Sequence, residues 1–114
     1  HDPIKVWGDG KDIKDFIYVD DLVTGLILAM EKIDGFDVVN IASGKEYSLS
    51  DLLKCIIKLD GFENAKIEFD ATKPTMIPKR LINPSKAKKV LGFEANTPIE
   101  DGLRKTIEWY RSTL

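Results

Sequence analysis

The segment "DDLVTGLILAMEK" at residues 20–32 limits the possible folds of this chain more than any other stretch. On a helix, Leu22, Leu26 and Ala29 fall along one line and Val23, Ile27 and Met30 along the next, so the helix is apolar on more than one side. Such a helix has to be covered on several sides. Before it, "IKVWGDGKDIKDFIYV" reads as two short strands: 5–7, closed by the Gly8-Asp9-Gly10 turn, and 16–19, rich in aromatic and β-branched residues. The Asp20 carboxylate stands where it can accept the free N–H groups of a first helical turn, which predicts a cap for a helix running to Lys32, with Gly35 marking its end.

Beyond the helix, "VVNIA" predicts a strand over 38–42. Ser48 opens a second helix with Leu49, Leu52, Leu53, Ile56 and Ile57 at core spacing. "KIEF" at 66–69 alternates like a half-buried strand, and a proline-pinned linker over 72–80 leads to a short strand at 81–83. Asn83 and Pro84 supply a cap and first-turn pair for a short basic helix that stops at Gly92. Thr97, Pro98 and Glu100 spell a capping box for a last helix with Ile99, Leu103, Ile107 and Tyr110 on one face. Strands alternate with helices, which predicts an α/β fold, but the strands are few and short for a complete sheet. With 114 residues there is room for one domain, spanning 1–114, and it reads as incomplete.

A net charge of -2 and a pI near 5.4 give no electrostatic footprint for nucleic acid or anionic lipid. Lys86, Lys88 and Lys89 read as a solvated helix face, not a nucleic-acid patch. No apolar run is long enough to span a bilayer, and the beginning lacks the profile of a signal peptide. The lone Cys55 excludes an internal disulfide, fits a reducing cytoplasm and falls at a core position of its helix. Adjacent residues on a helix do not face one another, so Asp20 and Asp21 are not read as an acid/base or metal-binding pair; contact with the helix dipole accounts for them. His1 is assigned no role.

Three ordered passages carry a family resemblance. "VWGDGKDIKDFIYVDDLVTGLILAME" resembles the G-x-G-x-x-x-R-D-[FY]-[IV]-[HY]-V-x-D-[LM] segment of the extended short-chain dehydrogenase/reductase family, which includes NAD(P)-dependent nucleotide-sugar epimerases, dehydratases and reductases. "NIASGKEYSLSDL" and "PKRLINPSKAKKVLGFEANTPIEDGLRKTIEWYR" resemble the passages that follow it there, in the same order. The departures are Lys14 in place of arginine, Ala42 in place of a glycine, and "KPTMIPKR" in place of an R-P-G-D type of sequence. The chain contains neither the G-x-x-G-x-x-G dinucleotide loop nor the Y-x-x-x-K catalytic pair: Gly8 and Gly10 do not open a helix, and none of Tyr18, Tyr47 and Tyr110 has a lysine four residues later. The resemblance therefore implies the C-terminal, substrate-binding part of such an enzyme, without its Rossmann half, without catalytic residues and without a bound cofactor or metal. NAD or NADP would serve the whole enzyme, whose tyrosine base removes a proton as hydride leaves a sugar carbon.

The resemblance also implies ligand contacts. Lys14 matches the diphosphate-binding arginine; lysine offers a point charge and movable donors where arginine offers a planar fork. Trp7 offers an indole face to a base or pyranose ring. Of Lys79 and Arg80, in the linker that closes over the nucleotide, one is expected to face phosphate or ribose and the other solvent, while Thr75 reads as a loop threonine. The implied ligand is a nucleotide-diphosphate sugar. Helix 21–32 and strand 38–42 would meet the missing half, so the chain alone is expected to self-associate through that helix. The competing reading is a non-catalytic relative, a ligand-sensing or interaction module, which lacks both motifs at full length.

Overall fold

A computed structural model of the chain describes residues 3–62, 64–75 and 77–114; His1 and Met76 of the linker lie outside them. The fold is α/β, with four helices and short strands among the described residues. Strand β1 (Ile4–Trp7) pairs in parallel with β4 (Ile67–Asp70), Trp7 opposite Asp70. A second sheet has β2 (Ile13–Lys14) at its centre, antiparallel to β3 (Tyr47–Ser48) and parallel to β5 (Lys79–Arg80). Around these sheets lie α1 (Val19–Lys32), α2 (Leu49–Asp60), α3 (Ser85–Leu91) and α4 (Ile99–Ser112).

Helix α1 packs on α3, and α2 on α4. The buried core cluster is Ala87, Leu91 and Phe93, with Ile17, Leu28, Ala29, Ile33, Val39 and Ile41 packed against it. Glycine has a specific use in α1. Gly25 is its buried residue, and a Cβ there would stand 2.7 Å from Ile41 Cγ2, so the chain after the helix closes directly onto the helix backbone.

The helices expected after Ser48 and before Gly92 both form, although α3 begins at Ser85 with Pro84 as its cap residue, and Asn83 Oδ1 accepts the Ser85 N–H at 3.0 Å. Ser48 accepts from the Asp51 N–H at 3.1 Å, and Gly92 takes the left-handed conformation that returns its N–H to the end of α3. Several local expectations do not hold. Residues 16–18 are irregular and Val19 already belongs to α1; the strand forms earlier, at Ile13–Lys14, where β3 and β5 supply partners. Residues 38–42 form no strand, because no described strand lies beside them to complete a ladder, although Val39 and Ile41 are turned inward. Residues 81–83 are likewise irregular, and the strand is Lys79–Arg80.

The caps differ too. Asp20 is inside α1, whose cap residue is Tyr18 with no side-chain bond. Thr97 does not cap α4, whose cap residue is Pro98; it is tied instead to Asp21, one carboxylate oxygen accepting the Thr97 N–H at 3.0 Å and the other its hydroxyl at 3.1 Å. Asp21 thus joins α1 to the start of α4, beyond any contact with the helix dipole. Cys55 is half-buried rather than enclosed.

Candidate functional site

The Gly8–Gly10 turn leads from β1 into the strand that carries Lys14. Both glycines have positive φ, 89° and 75°, which favours glycine at these positions. Their close approach is to protein: a Cβ on Gly8 would lie 2.4 Å from Thr75 Cγ2, and one on Gly10 2.4 Å from Phe69 Cε1. The turn's carbonyls face α2. Gly10 O accepts the Ser50 N–H at 2.9 Å and Asp12 O the Leu49 N–H at 3.0 Å. Together with the Ser48 hydroxyl on Asp51, they occupy the first N–H groups of α2 with protein acceptors.

Past the turn, β2 brings cations together. Lys14 is the register partner of Tyr47 on one side and of Arg80 on the other. Residues directly opposite in a sheet share a face, so Tyr47, Lys14 and Arg80 form one row. Lys79 belongs to the other row, with Ile13 and Ser48, and pairs with Glu46 at 3.3 Å in an exposed contact. Trp7 lies in the other sheet, 59% exposed, with Lys73 Nζ 5.9 Å from its ring centroid. The structure therefore brings Lys14 and Arg80 together and keeps Trp7 and Lys79 apart from them.

Asp15, next to Lys14, escaped the sequence reading although it stands in the first motif. Its Oδ1 accepts the Ser43 N–H at 2.9 Å and the Ser43 hydroxyl at 2.7 Å; its Oδ2 accepts the Gly44 N–H at 2.8 Å. This clamp fastens β2 to the segment that enters β3. Tyr47 is opposed by its surroundings as a catalytic base. Burial, and then the Asp15 charge, raise its pKa above the ordinary phenol value, which keeps the proton on.

Beside this sheet lies a mainly apolar cleft of about 640 Å³. Phe16, Tyr18 and Tyr47 line one side and Leu103 and Trp109 of α4 the other; Trp7, Lys14, Lys79 and Arg80 do not line it. Lys105 stands 5.6 Å from the Tyr18 ring centroid at its edge. Among the described residues no group of three His, Cys, Asp or Glu is placed to hold a metal ion, and no helix is long and apolar enough to cross a membrane. Lys86 and Lys88 are engaged in ion pairs, with Asp37 at 2.6 Å and Glu94 at 2.9 Å. What the site offers chemically is a pair of cations for an anion, a protonated phenol beside them, and an apolar cleft next to the phenol.

The sequence model of the family described as GDP-mannose 4,6 dehydratase matches residues 1–106. A putative GDP-L-fucose synthase 2 of Arabidopsis thaliana is 36% identical over 109 residues, covering 96% of this chain and 33% of the relative. Among solved structures, the UDP-glucose 4-epimerase of Thermotoga maritima with UDP-glucose superposes with a TM-score of 0.87 at 32% identity, covering 97% of this chain and 35% of that one. The dTDP-glucose 4,6-dehydratase of Bacillus anthracis in complex with NAD gives a TM-score of 0.86 at 25% identity, covering 97% and 35%. The chain spans about a third of the length of the relatives it matches.

Proposed function

Because the chain belongs to the GDP-mannose 4,6-dehydratase family, within the extended short-chain dehydrogenase/reductase enzymes, we propose that it is the nucleotide-sugar-binding portion of an NAD(P)-dependent epimerase, dehydratase or reductase. The observation that carries this reading is the Tyr47–Lys14–Arg80 row. Two cations from strands far apart in sequence stand side by side on one face, an arrangement suited to a diphosphate. On this reading Lys14 and Arg80 take the diphosphate. Trp7, exposed on β1, offers its ring to the base or sugar, and Lys79 contributes charge from the opposite face of the sheet.

A dinucleotide does not fit the residues of this chain. The glycine turn is packed against Thr75 and Phe69, and the first N–H groups of α2 already have protein acceptors. NAD or NADP is accordingly assigned to the whole enzyme and none to this chain, and no catalytic step is assigned to its residues. We read the chain as one domain, place it in the cytoplasm on its lone half-buried cysteine, and expect it to self-associate through α1.

The test is binding of a nucleotide-diphosphate sugar by the enzyme that contains this chain. Lys14→Ala is expected to weaken it by roughly 1.5–3 kcal/mol, the range for hydrogen bonds to charged groups. An unchanged dissociation constant would remove Lys14 from the site and the proposal with it.

A further inference from the structure

We infer that the Tyr47 hydroxyl is a third ligand-contact group, donating a hydrogen bond to the anion held by Lys14 and Arg80 and joining that anion to the apolar cleft. This deepens the function proposed above and rests on its assignment of an anion to the Lys14–Arg80 pair.

Three observations carry it. Tyr47 is the direct cross-strand partner of Lys14, so the two Cβ atoms stand about 4.5–5.5 Å apart on one face, with Arg80 on the far side of Lys14. Of the three residues in the row, only Tyr47 also lines the cleft. Lastly, Tyr47 is half-buried, and its hydroxyl, open to a ligand, forms no hydrogen bond among the described residues. The nearby Asp15 carboxylate is taken up by Ser43 and Gly44. Burial and the Asp15 charge keep the Tyr47 phenol protonated, so what it presents is an O–H donor.

The surroundings define the ligand class. On one side of Tyr47, along the row, are two cations. On the other is a cleft of about 640 Å³, a size typical of small-molecule sites, with Phe16, Tyr18 and Trp109 offering ring surface. A ligand using both sides has an anionic group attached to a ring-bearing body, as a nucleoside diphosphate does. Inorganic pyrophosphate would occupy the charged side alone, and a nucleoside the cleft alone.

The experiment is a titration of the isotope-labelled 114-residue chain by nuclear magnetic resonance, with pyrophosphate, uridine and UDP as separate probes. Tyr47→Phe retains the ring and removes only the hydroxyl, and the dispersion of its spectrum reports whether the fold is kept. The expected result is a loss of about tenfold in affinity for pyrophosphate and UDP with uridine unchanged. In the unaltered chain, pyrophosphate is expected to move the ring resonances of Tyr47 and leave those of Tyr110 in place, a readout that needs no variant. If Lys14→Ala weakens pyrophosphate while Tyr47→Phe does not, and the Tyr47 ring resonances stay still, the inference is overturned and the anion site stands. If pyrophosphate leaves the Lys14 and Arg80 signals unmoved, or Lys14→Ala changes nothing, the anion site itself fails and takes the role of Tyr47 with it.

Discussion

Asp15 shows how much a single carboxylate fixes in this fold. By accepting three hydrogen bonds from Ser43 and Gly44 it sets the entry of the chain into β3, and so the register that puts Tyr47 beside Lys14. Asp15→Ala leaves those donors to water, and unfolding in urea should show a loss of roughly 1.5–3 kcal/mol. Asp37 offers a check by pH. The Lys86 ammonium, and then the Val38 N–H, lower its pKa below the ordinary carboxylate value. A lowered folded-state pKa contributes stability that is present above the unfolded value and lost as pH falls through the folded one. Asp37→Asn should therefore make the acid limb of the stability curve shallower below about pH 4 and leave its shape at higher pH unchanged. Thermal unfolding across that range measures it.

At the scale of elements, α1 is set by what touches its backbone more than by its own propensity. Alanine favours a helix over glycine by about 0.8–1 kcal/mol, so from sequence alone Gly25→Ala is stabilising. The structure reverses the sign. The added Cβ would meet Ile41 Cγ2 at 2.7 Å, and a branched methyl that close to its own backbone cannot swing away cheaply. Overpacking typically costs about 1–3 kcal/mol, so the variant should be less stable by roughly 1 kcal/mol in denaturant. Gly25→Ala combined with Ile41→Leu, whose Cβ carries no second branch and so has no Cγ2 methyl, should recover part of the loss.

For the whole molecule, the fully buried apolar residues among those described are few: Ala42, Ala87, Leu91 and Phe93. The radius of gyration is 16.7 Å, whereas a compact chain of this length has about 13 Å. Helix α1 is covered on the side facing α3, while Leu26 and Ile27 are about half exposed and Met30 is 83% exposed. Each such side chain left in water forgoes roughly 1.5–3 kcal/mol of burial. The expected outcome is a symmetric dimer through α1, with the 38–42 edge excluded because no strand forms there. Light scattering should give a mass that rises with concentration for the chain and stays monomeric for Ile27→Glu. A monomer at high concentration in both would show that the exposed face of α1 does not mediate association.

The sequence by itself determined the elements whose instructions are local. The spacing of Leu49, Leu52, Leu53 and Ile56, the Ser48 cap and the Gly92 stop place α2 and α3; the glycine turn after Trp7 places β1, and alternation over a few residues places β4. It also identified Lys14 and the Lys79–Arg80 pair as candidates and named the family they resemble. Only tertiary structure decided the rest. β2 and β5 are two-residue strands joined across 66 positions at Lys14 and Arg80, and nothing in either local pattern encodes that register. Thr97 has the spelling of a cap, yet Asp21, 76 positions away, takes both its donors. Residues 38–42 have the spelling of a strand, yet among the described residues no neighbour shares their ladder. Helical periodicity and glycine caps act between residues three or four positions apart and are legible along the chain. A ladder, a carboxylate clamp or a row of cations needs a partner that only folding brings near.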